Sequence, residues 1–136
     1  MRCLLVLVLA LTAAACGAQS EPIKVPTTIW QPIGRWSGKT SMQGETFGVD
    51  AHEWRIYWET SNETTPNAGT FVVHIHSGDS GRILATPVRR AGVGKDVVLV
   101  TEPPRPNFYL SFEASNLEWS VRVEEPVQAE RMVAPR

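Results

Sequence analysis

The sequence predicts an all-β fold, a small antiparallel β-sandwich (jelly-roll-like or Ig-like) with seven to eight strands. Between residues 30 and 126 nearly every segment alternates apolar and polar side chains with a period of two, which is typical of half-buried strands. Short stretches rich in Gly, Pro, Asn and Ser separate these segments and indicate turns. No segment between the turns has a helical period, so a helical domain is not expected.

Four segments show the alternation most clearly, and each supplies one apolar row to the predicted core. They are residues 54–59, 71–76, 108–113 and 119–124. A short apolar run covers residues 97–100, and weaker strands are expected at 34–40, 45–49 and 82–90. Among the tryptophans, we expect Trp54, Trp58 and Trp119 in the core, whereas Trp30 and Trp36 flank the first strand and stay unassigned.

The first sixteen residues, MRCLLVLVLALTAAAC, have the layout of a secretory signal. Arg2 provides a positive start, an apolar run covers residues 4–11, and small residues precede Cys16. The apolar run is far shorter than the ~20 residues that a membrane-spanning helix needs. Residues 1–15 are therefore predicted to be a signal peptide and not part of the fold.

The end of this segment, Ala13-Ala14-Ala15-Cys16-Gly17, resembles the lipobox of bacterial lipoproteins, although the commonest lipobox has leucine at the first of these positions. The resemblance implies that Cys16 becomes the lipidated N-terminus, with acyl chains such as palmitate holding the protein in a membrane of the bacterial cell envelope. Two acyl signals of this kind are enough for stable anchoring. The alternative is ordinary cleavage after Ala15 or Ala18, which would release a soluble secreted protein.

The chain divides into a signal peptide (1–15), a lipidated cysteine with a flexible tether (16–29), a sandwich domain (30–126) and a C-terminal tail (127–136). Tether and tail are predicted from their Pro, Thr and small polar residues, and the tail is expected to be frayed or to form one short helical turn. Because Cys3 and Cys16 lie in the signal and at the anchor, no disulfide is expected in the domain. The formal net charge of -1 gives no reason to expect a nucleic-acid partner.

Five strings in order carry a further resemblance: ETFGV from Glu45, EWRIYW from Glu53, GTFVV from Gly69, NFYLSF from Asn107 and WSVRVEE from Trp119. Together they resemble a small bacterial cell-envelope β-sandwich domain, and the resemblance spans roughly residues 30–125. It implies the fold and a place behind a signal peptide. It implies no activity, because the family function is not characterised and no active-site motif can be transferred.

The best metal candidate is the pair His74 and His76. Two residues apart on a strand, both imidazoles lie on one face about 7 Å apart, within reach of one ion. His52 could be a third ligand if its strand end lies beside that pair. The alternatives are ordinary exposed histidines or a pH-sensitive charge patch. We therefore predict no cofactor.

No catalytic residues are predicted. Glu124 and Glu125 are neighbours on a strand and so point to opposite faces, which prevents them from flanking one bond. We interpret these carboxylates, and Glu113 and Glu118, as solvated surface charge. The chain also lacks a nucleophile elbow, a phosphate loop and a dinucleotide fingerprint.

Arg55 and Arg122 alternate with core tryptophans and should lie on an outward face near Tyr57 or Glu124. Arginine and tyrosine are enriched in interaction hot spots. The candidate interaction surface is therefore Arg55, Tyr57 and Arg122. The sequence favours a non-enzymatic, membrane-anchored interaction or accessory module whose partners are the membrane, through its lipid, and an envelope protein. The alternative is a binder of a small ligand, either a glycan or a metal.

Overall fold

The computed structural model describes Gly17 and residues 19–136, which contain nine β-strands. The strands are β1 (Ile23–Gly38), β2 (Met42–Gln43), β3 (Phe47–Val49), β4 (Trp54–Ser61), β5 (Thr70–Ser77), β6 (Ile83–Ala91), β7 (Gly94–Val100), β8 (Arg105–Ser115) and β9 (Glu118–Val133). Within this described part of the chain, no helix is long and apolar enough to cross a membrane. The predicted signal peptide and Cys16 lie outside the described residues.

The strands form two antiparallel sheets, which confirms the predicted fold class. One sheet has four strands in the order β1-β9-β4-β7, and the other has the order β2-β8-β5-β6 with β3 also paired to β8. The first strand pairs with the last, and the chain changes sheets at every connection except those between β2 and β3 and between β5 and β6. This strand order is that of a jelly roll, one of the two sandwiches expected from the sequence.

The structure has nine strands where seven to eight were predicted, because one strand of the jelly roll is interrupted. β2 pairs with β8 at Phe112 and Ser111, and β3 pairs with the same strand at Phe108 and Arg105. Gly44, between β2 and β3, still donates its N–H to the Leu110 carbonyl over 2.9 Å. The interrupted strand therefore stays on β8 along its length.

The core lies between the two sheets and consists of the apolar rows predicted from the alternation. Trp54, Trp58 and Trp119 are buried in it as expected, and Trp36 joins them. Trp119 stacks on Phe112 with ring centroids 4.3 Å apart. Aromatic side chains of this size bury large areas and account for much of the stability of a domain without disulfides.

The indole of Trp36 is held between two glycines. A Cβ on Gly34 would lie 2.2 Å from the Trp36 ring, and one on Gly44 would lie 2.6 Å from its Nε1. The Trp36 Nε1–H donates to Glu45 Oε2 over 2.8 Å. Glycine is required at both positions because any larger residue would displace this core ring.

The predicted tether and tail are wrong for residues 23–29 and 127–133, which are paired strands. Residues 23–31 of β1 pair with residues 125–133 of β9 and form a two-stranded extension, called the arm below. Pro and Thr, which are common in spacers, hide the strand pattern of these two segments. Proline is tolerated on strands with an open edge, and Ile23, Val25, Thr27 and Ile29 alternate as β-branched residues do in strands.

Candidate functional site

The predicted interaction surface lies on the outer face of the four-stranded sheet, where the strand register brings its three residues together. Tyr57 on β4 pairs with Arg122 on β9, and Arg55 on β4 pairs with Glu124 on β9. On the far side of β9, Arg35 of β1 pairs with Arg122. Residues more than sixty positions apart in the sequence thereby become neighbours on one sheet.

Glu124 is at the centre of this surface, between the two arginines. Arg55 donates through Nε to Glu124 Oε2 over 2.8 Å, and its terminal nitrogen lies 2.7 Å from the same oxygen. Arg122 Nε lies 2.7 Å from Glu124 Oε1, but it makes no aligned hydrogen bond there, so this contact is an ion pair only. The Glu124 side chain is 7% exposed. The expectation of a solvated surface charge is therefore wrong for Glu124.

Aromatic rings contact both arginines of this pair. The Arg55 guanidinium carbon lies 4.0 Å from the centroid of the Trp30 ring and 4.9 Å from that of Tyr57. The Arg122 guanidinium carbon lies 4.4 Å from the Tyr57 centroid. At these cation–π distances the aromatic rings cover the guanidinium faces, and the guanidinium edges remain for the carboxylate. The arrangement is a layered cluster of Trp30, Arg55, Tyr57, Arg122 and Glu124, called the arginine cluster below.

A groove of about 700 Å³ lies beside the arginine cluster on the same face. Its charged side chains come from all four strands and are Arg35, Glu59, Lys95, Asp96 and Arg122. Next to it, the edge strand β7 exposes Val97 and Leu99. Arginine and aromatic side chains are enriched in protein-binding surfaces, and exposed apolar side chains beside them are a second feature of such surfaces.

Arg35 is the groove cation whose charge is least compensated. It is exposed, it faces Arg122 directly across β1 and β9, and no ion pair to it occurs among the described residues. Like charges at directly opposite positions repel each other. The groove therefore favours an anionic group placed near Arg35.

Sequence reasoning placed Arg55, Tyr57 and Arg122 correctly on one outward face near Glu124, but it missed Trp30, Arg35 and the burial of Glu124. Trp30 and Arg35 lie on β1, where the sequence signal for a strand was weak. Glu124 follows the same alternation as Arg122, and that alternation already indicated an outward side chain. Its burial could not be read from its own strand, because the residues that cover it are far away in the chain.

The two histidines lie on the outer face of the other sheet, and their rings are 6.2 Å apart. His74 contacts Thr86 Oγ1 at 2.8 Å through Nδ1 and Glu113 Oε2 at 3.0 Å through Nε2. A carboxylate only accepts hydrogen bonds, so Nε2 of His74 carries the proton that it donates to Glu113. Glu113 is thus a partner of His74, although its own side chain is 64% exposed.

His76 is held in a similar way. Its Nδ1 lies 2.9 Å from the Gly81 carbonyl oxygen, to which it donates, and its Nε2 lies 2.7 Å from Ser111 Oγ. The ring also stacks on Tyr109 with centroids 4.4 Å apart. A serine beside an imidazole that a third group orients is the local geometry of a nucleophile and its base. Neither residue lines the groove of the four-stranded sheet, so substrate binding has no support at this pair.

The predicted metal set of His52, His74 and His76 is not brought together. Across the residues that the structure describes, no group of three or more His, Cys, Asp and Glu side chains is placed to hold a metal ion. His52 lies in the loop between β3 and β4, whereas the other two histidines lie on β5. The four ring nitrogens of the pair already have hydrogen-bonding partners.

Glu118 is another carboxylate with defined hydrogen-bonding partners. Hydrogen bonds from Asn62 and then from Lys39, together with the charge of Lys39, lower the pKa of Glu118 from its usual value. The same contact raises the pKa of Lys39. The Lys39–Glu118 ion pair, 2.9 Å long, is exposed at the far end of β9 and lies away from the groove.

Comparison with known proteins finds only distant likenesses to solved structures. No family model matches the chain, and no curated protein matches it. A structure of the T13 IBDV viral particle is 12% identical with a TM-score of 0.39, covering 88% of this chain and 35% of that chain. A structure of infectious bursal disease virus Gx strain is 13% identical with a TM-score of 0.36, covering 88% of this chain and 37% of that chain. The protein thus spans little more than a third of each viral chain.

Proposed function

We propose that the protein is a non-enzymatic interaction module of the bacterial cell envelope, held at a membrane by a lipid on Cys16. The observation that carries the binding role is the arginine cluster beside the groove. A buried carboxylate fixes two arginines against aromatic rings, so their side chains are ordered before any partner arrives. Preordered side chains lose less conformational entropy on binding, which raises affinity.

The partner that this surface fits is an envelope protein with an acidic segment. Arg35 and Arg122 would take up its carboxylates, and Val97 and Leu99 would contact its apolar side chains. Arginine recognises carboxylates with paired hydrogen bonds, and Arg35 is exposed to solvent. Complementary charges of this kind affect the choice of partner more than the binding affinity.

The test is photocrosslinking in cells with the full-length, exported protein. A crosslinking amino acid at Val97, which lines the groove and is 42% exposed, should capture one envelope protein, whereas the same group at Ile83, 51% exposed on the other sheet, should not. Capture should fall at least about tenfold with Arg35→Glu, the loss expected for a hot-spot residue. Arg89→Glu, exposed on the outer face of the other sheet, is the matched control and should leave capture unchanged.

Two results would contradict the interaction role. One is equal capture from Val97 and Ile83, and the other is capture that does not depend on Arg35. The anchor has its own test, since the mass of the mature protein should include the acyl chains at Cys16. A mature protein whose mass includes no acyl chain would refute the lipid anchor while leaving the binding surface open.

A small anionic ligand, such as an acidic glycan, is the second candidate, and the size of the groove favours it. About 700 Å³ lies within the ~300–1,000 Å³ of typical small-ligand sites, and Tyr57 lines the groove. A panel of acidic and neutral glycans in thermal unfolding would separate the two candidates. Stabilisation by acidic glycans that disappears with Arg35→Glu would favour the ligand over the protein partner.

Metal binding is the weaker form of the small-ligand alternative. A zinc ion at the histidine pair would have to replace hydrogen bonds to Thr86, Glu113, Gly81 and Ser111. We therefore expect zinc to leave the melting temperature unchanged. Stabilisation by zinc that disappears in His74→Ala/His76→Ala would show that the pair binds metal.

A further inference from the structure

The arm has two chemically different faces. One face carries mostly apolar side chains: Ile23, Val25, Thr27 and Ile29 of β1, opposite Val133, Arg131, Ala129 and Val127 of β9. The other face is mixed and carries Lys24, Thr28 and Trp30 opposite Met132, Gln128 and Pro126, with Pro26 opposite Glu130. Alternation of this kind predicts that one side of the ribbon packs against another surface.

The apolar face is the continuation of the core face of the four-stranded sheet. Val121 and Val123 of β9 are buried, and residues 125–133 continue their alternation onto the arm. The second sheet reaches only as far as Asp50, whose N–H donates to Glu125 Oε2 at the base of the arm. Beyond that point Ile23, Val25, Ile29 and Val133 are 54%, 41%, 50% and 41% exposed. The arm is thus a piece of sandwich with one of its two layers missing.

A second arm fits the place of the missing layer. Two ribbons packed face to face lie about 10 Å apart, which is the spacing of the sheets in a sandwich. If the two-fold axis passes near Gln128, Arg131 of each copy lies opposite Glu125 of the other, because the two residues are three positions to either side. Neither residue forms an ion pair within the described chain, and the Asp50 N–H contacts only one of the two oxygens of Glu125.

Proline makes pairing through the strand edges less favourable than packing through the face. Pro26 and Pro32 on β1 and Pro126 on β9 have no N–H to donate to an added strand. The exposed apolar side chains then remain the main surface that a second copy could bury. Face-to-face packing also makes the contact self-complementary and closed, as two-fold dimers require.

We propose that two copies of this chain form a dimer by packing the apolar faces of their arms against each other in antiparallel orientation. The contact consists of the arm's apolar side chains, with Arg131 of one copy paired to Glu125 of the second copy at both ends. The dimer needs neither the groove nor the lipid, and it stands or falls separately from the proposed binding function.

Cysteine crosslinking of the full-length protein in cells tests the contact. Ala129→Cys lies on the apolar face near the proposed axis, and Gln128→Cys lies on the opposite face of the same strand. A short bis-maleimide should link two copies of Ala129→Cys and leave Gln128→Cys monomeric. The unsubstituted protein is the control for any reaction at Cys16.

Charge exchange tests the orientation. Arg131→Glu should lower the yield of the Ala129→Cys dimer roughly fivefold, because each dimer contains two of the affected ion pairs. Adding Glu125→Arg to the same chain should restore the yield, since the pair is then reversed. Melting temperatures of all variants should stay close to each other, because the arm lies outside the core.

Several results would overturn the dimer. Equal crosslinking from Gln128→Cys would mean chance collisions, and no crosslinking from Ala129→Cys would mean that no second copy is present. A crosslink from Ala129→Cys to another protein would assign the face to a different partner. Failure of Glu125→Arg to restore the Arg131→Glu dimer would refute the antiparallel orientation.

Discussion

Replacing Glu124 by glutamine should destabilise the protein by more than any exposed ion pair could explain. The substitution keeps the side-chain shape but removes the charge shared by Arg55 and Arg122. Removing one partner of a buried ion pair costs about 3–5 kcal/mol. Here Arg55 and Arg122 are 23% and 35% exposed and can be partly hydrated, so we expect about 1–3 kcal/mol. At about 4 °C per kcal/mol for a domain of this size, the melting temperature should fall by about 4–12 °C.

The assay is thermal unfolding followed by circular dichroism, with Glu130→Gln as the matched control. Glu130 pairs with Lys24 at 3.3 Å, but both side chains are 64% exposed, so its loss should cost less than about 0.5 kcal/mol. A double-mutant cycle of Glu124→Gln with Arg55→Gln should give a coupling free energy of about 1 kcal/mol or more. A fall in melting temperature no larger than that of the control would refute the claim that the cluster is a buried, ordered unit.

Two further substitutions and one deletion test the remaining structure. Gly34→Ala should lower the free energy of unfolding by about 1–3 kcal/mol in urea titration, because its Cβ would overlap the Trp36 ring. An unchanged urea midpoint would refute the claim that glycine is required beside Trp36. The pKa of Glu45 is lowered by a hydrogen bond from its own backbone N–H and then by the Trp36 indole, so its contribution is present above pH 4.5 and lost as pH falls through the lowered pKa. The urea midpoints of wild type and Glu45→Gln should therefore converge below pH 4.5, and a constant difference would contradict this. Deleting 127–136 should speed amide exchange in 23–29 while the sandwich stays protected; a frayed tail would leave exchange there unchanged.

The sandwich was predictable because its signal is local. Each strand that faces the core on one side and solvent on the other alternates in its own sequence, as Phe71, Val73 and Ile75 do on β5. The same pattern placed Arg55, Tyr57 and Arg122 on an outward face. Which strands pair, and hence which of these residues meet, depends on contacts between distant parts of the chain. The choice between jelly roll and Ig-like sandwich was open for this reason.

The arm could not be predicted because its partner strand is about a hundred residues away. Ile23 pairs with Val133, and neither segment is buried enough to show a strong apolar pattern. Considered separately, each contains proline and polar residues and is typical of a linker. Pairing supplies backbone hydrogen bonds to both at once, and no local propensity contains that information.

The burial of Glu124 has a similar origin. On its own strand it is one of two adjacent glutamates near an end, and a solvated position is the ordinary expectation. Its burial comes from Arg55 on β4 and from Trp30 on β1, which stacks on Arg55 at the base of the arm. A tryptophan that the sequence assigned to no element thus belongs to the arginine cluster.

The arm and the arginine cluster use opposite faces of the same two strands, and this relation links the two proposals. Glu124 and Trp30 are on the outward face of β9 and β1, whereas Val123, Val127 and Ile29 are on the other. If the apolar faces of two arms meet, both arginine clusters point away from the contact and stay open to solvent. The dimer would then offer two identical partner surfaces, and a partner with two acidic segments would bind both with a higher effective affinity than either alone. Arm variants such as Arg131→Glu should weaken only that two-site binding, whereas Arg35→Glu should weaken each site.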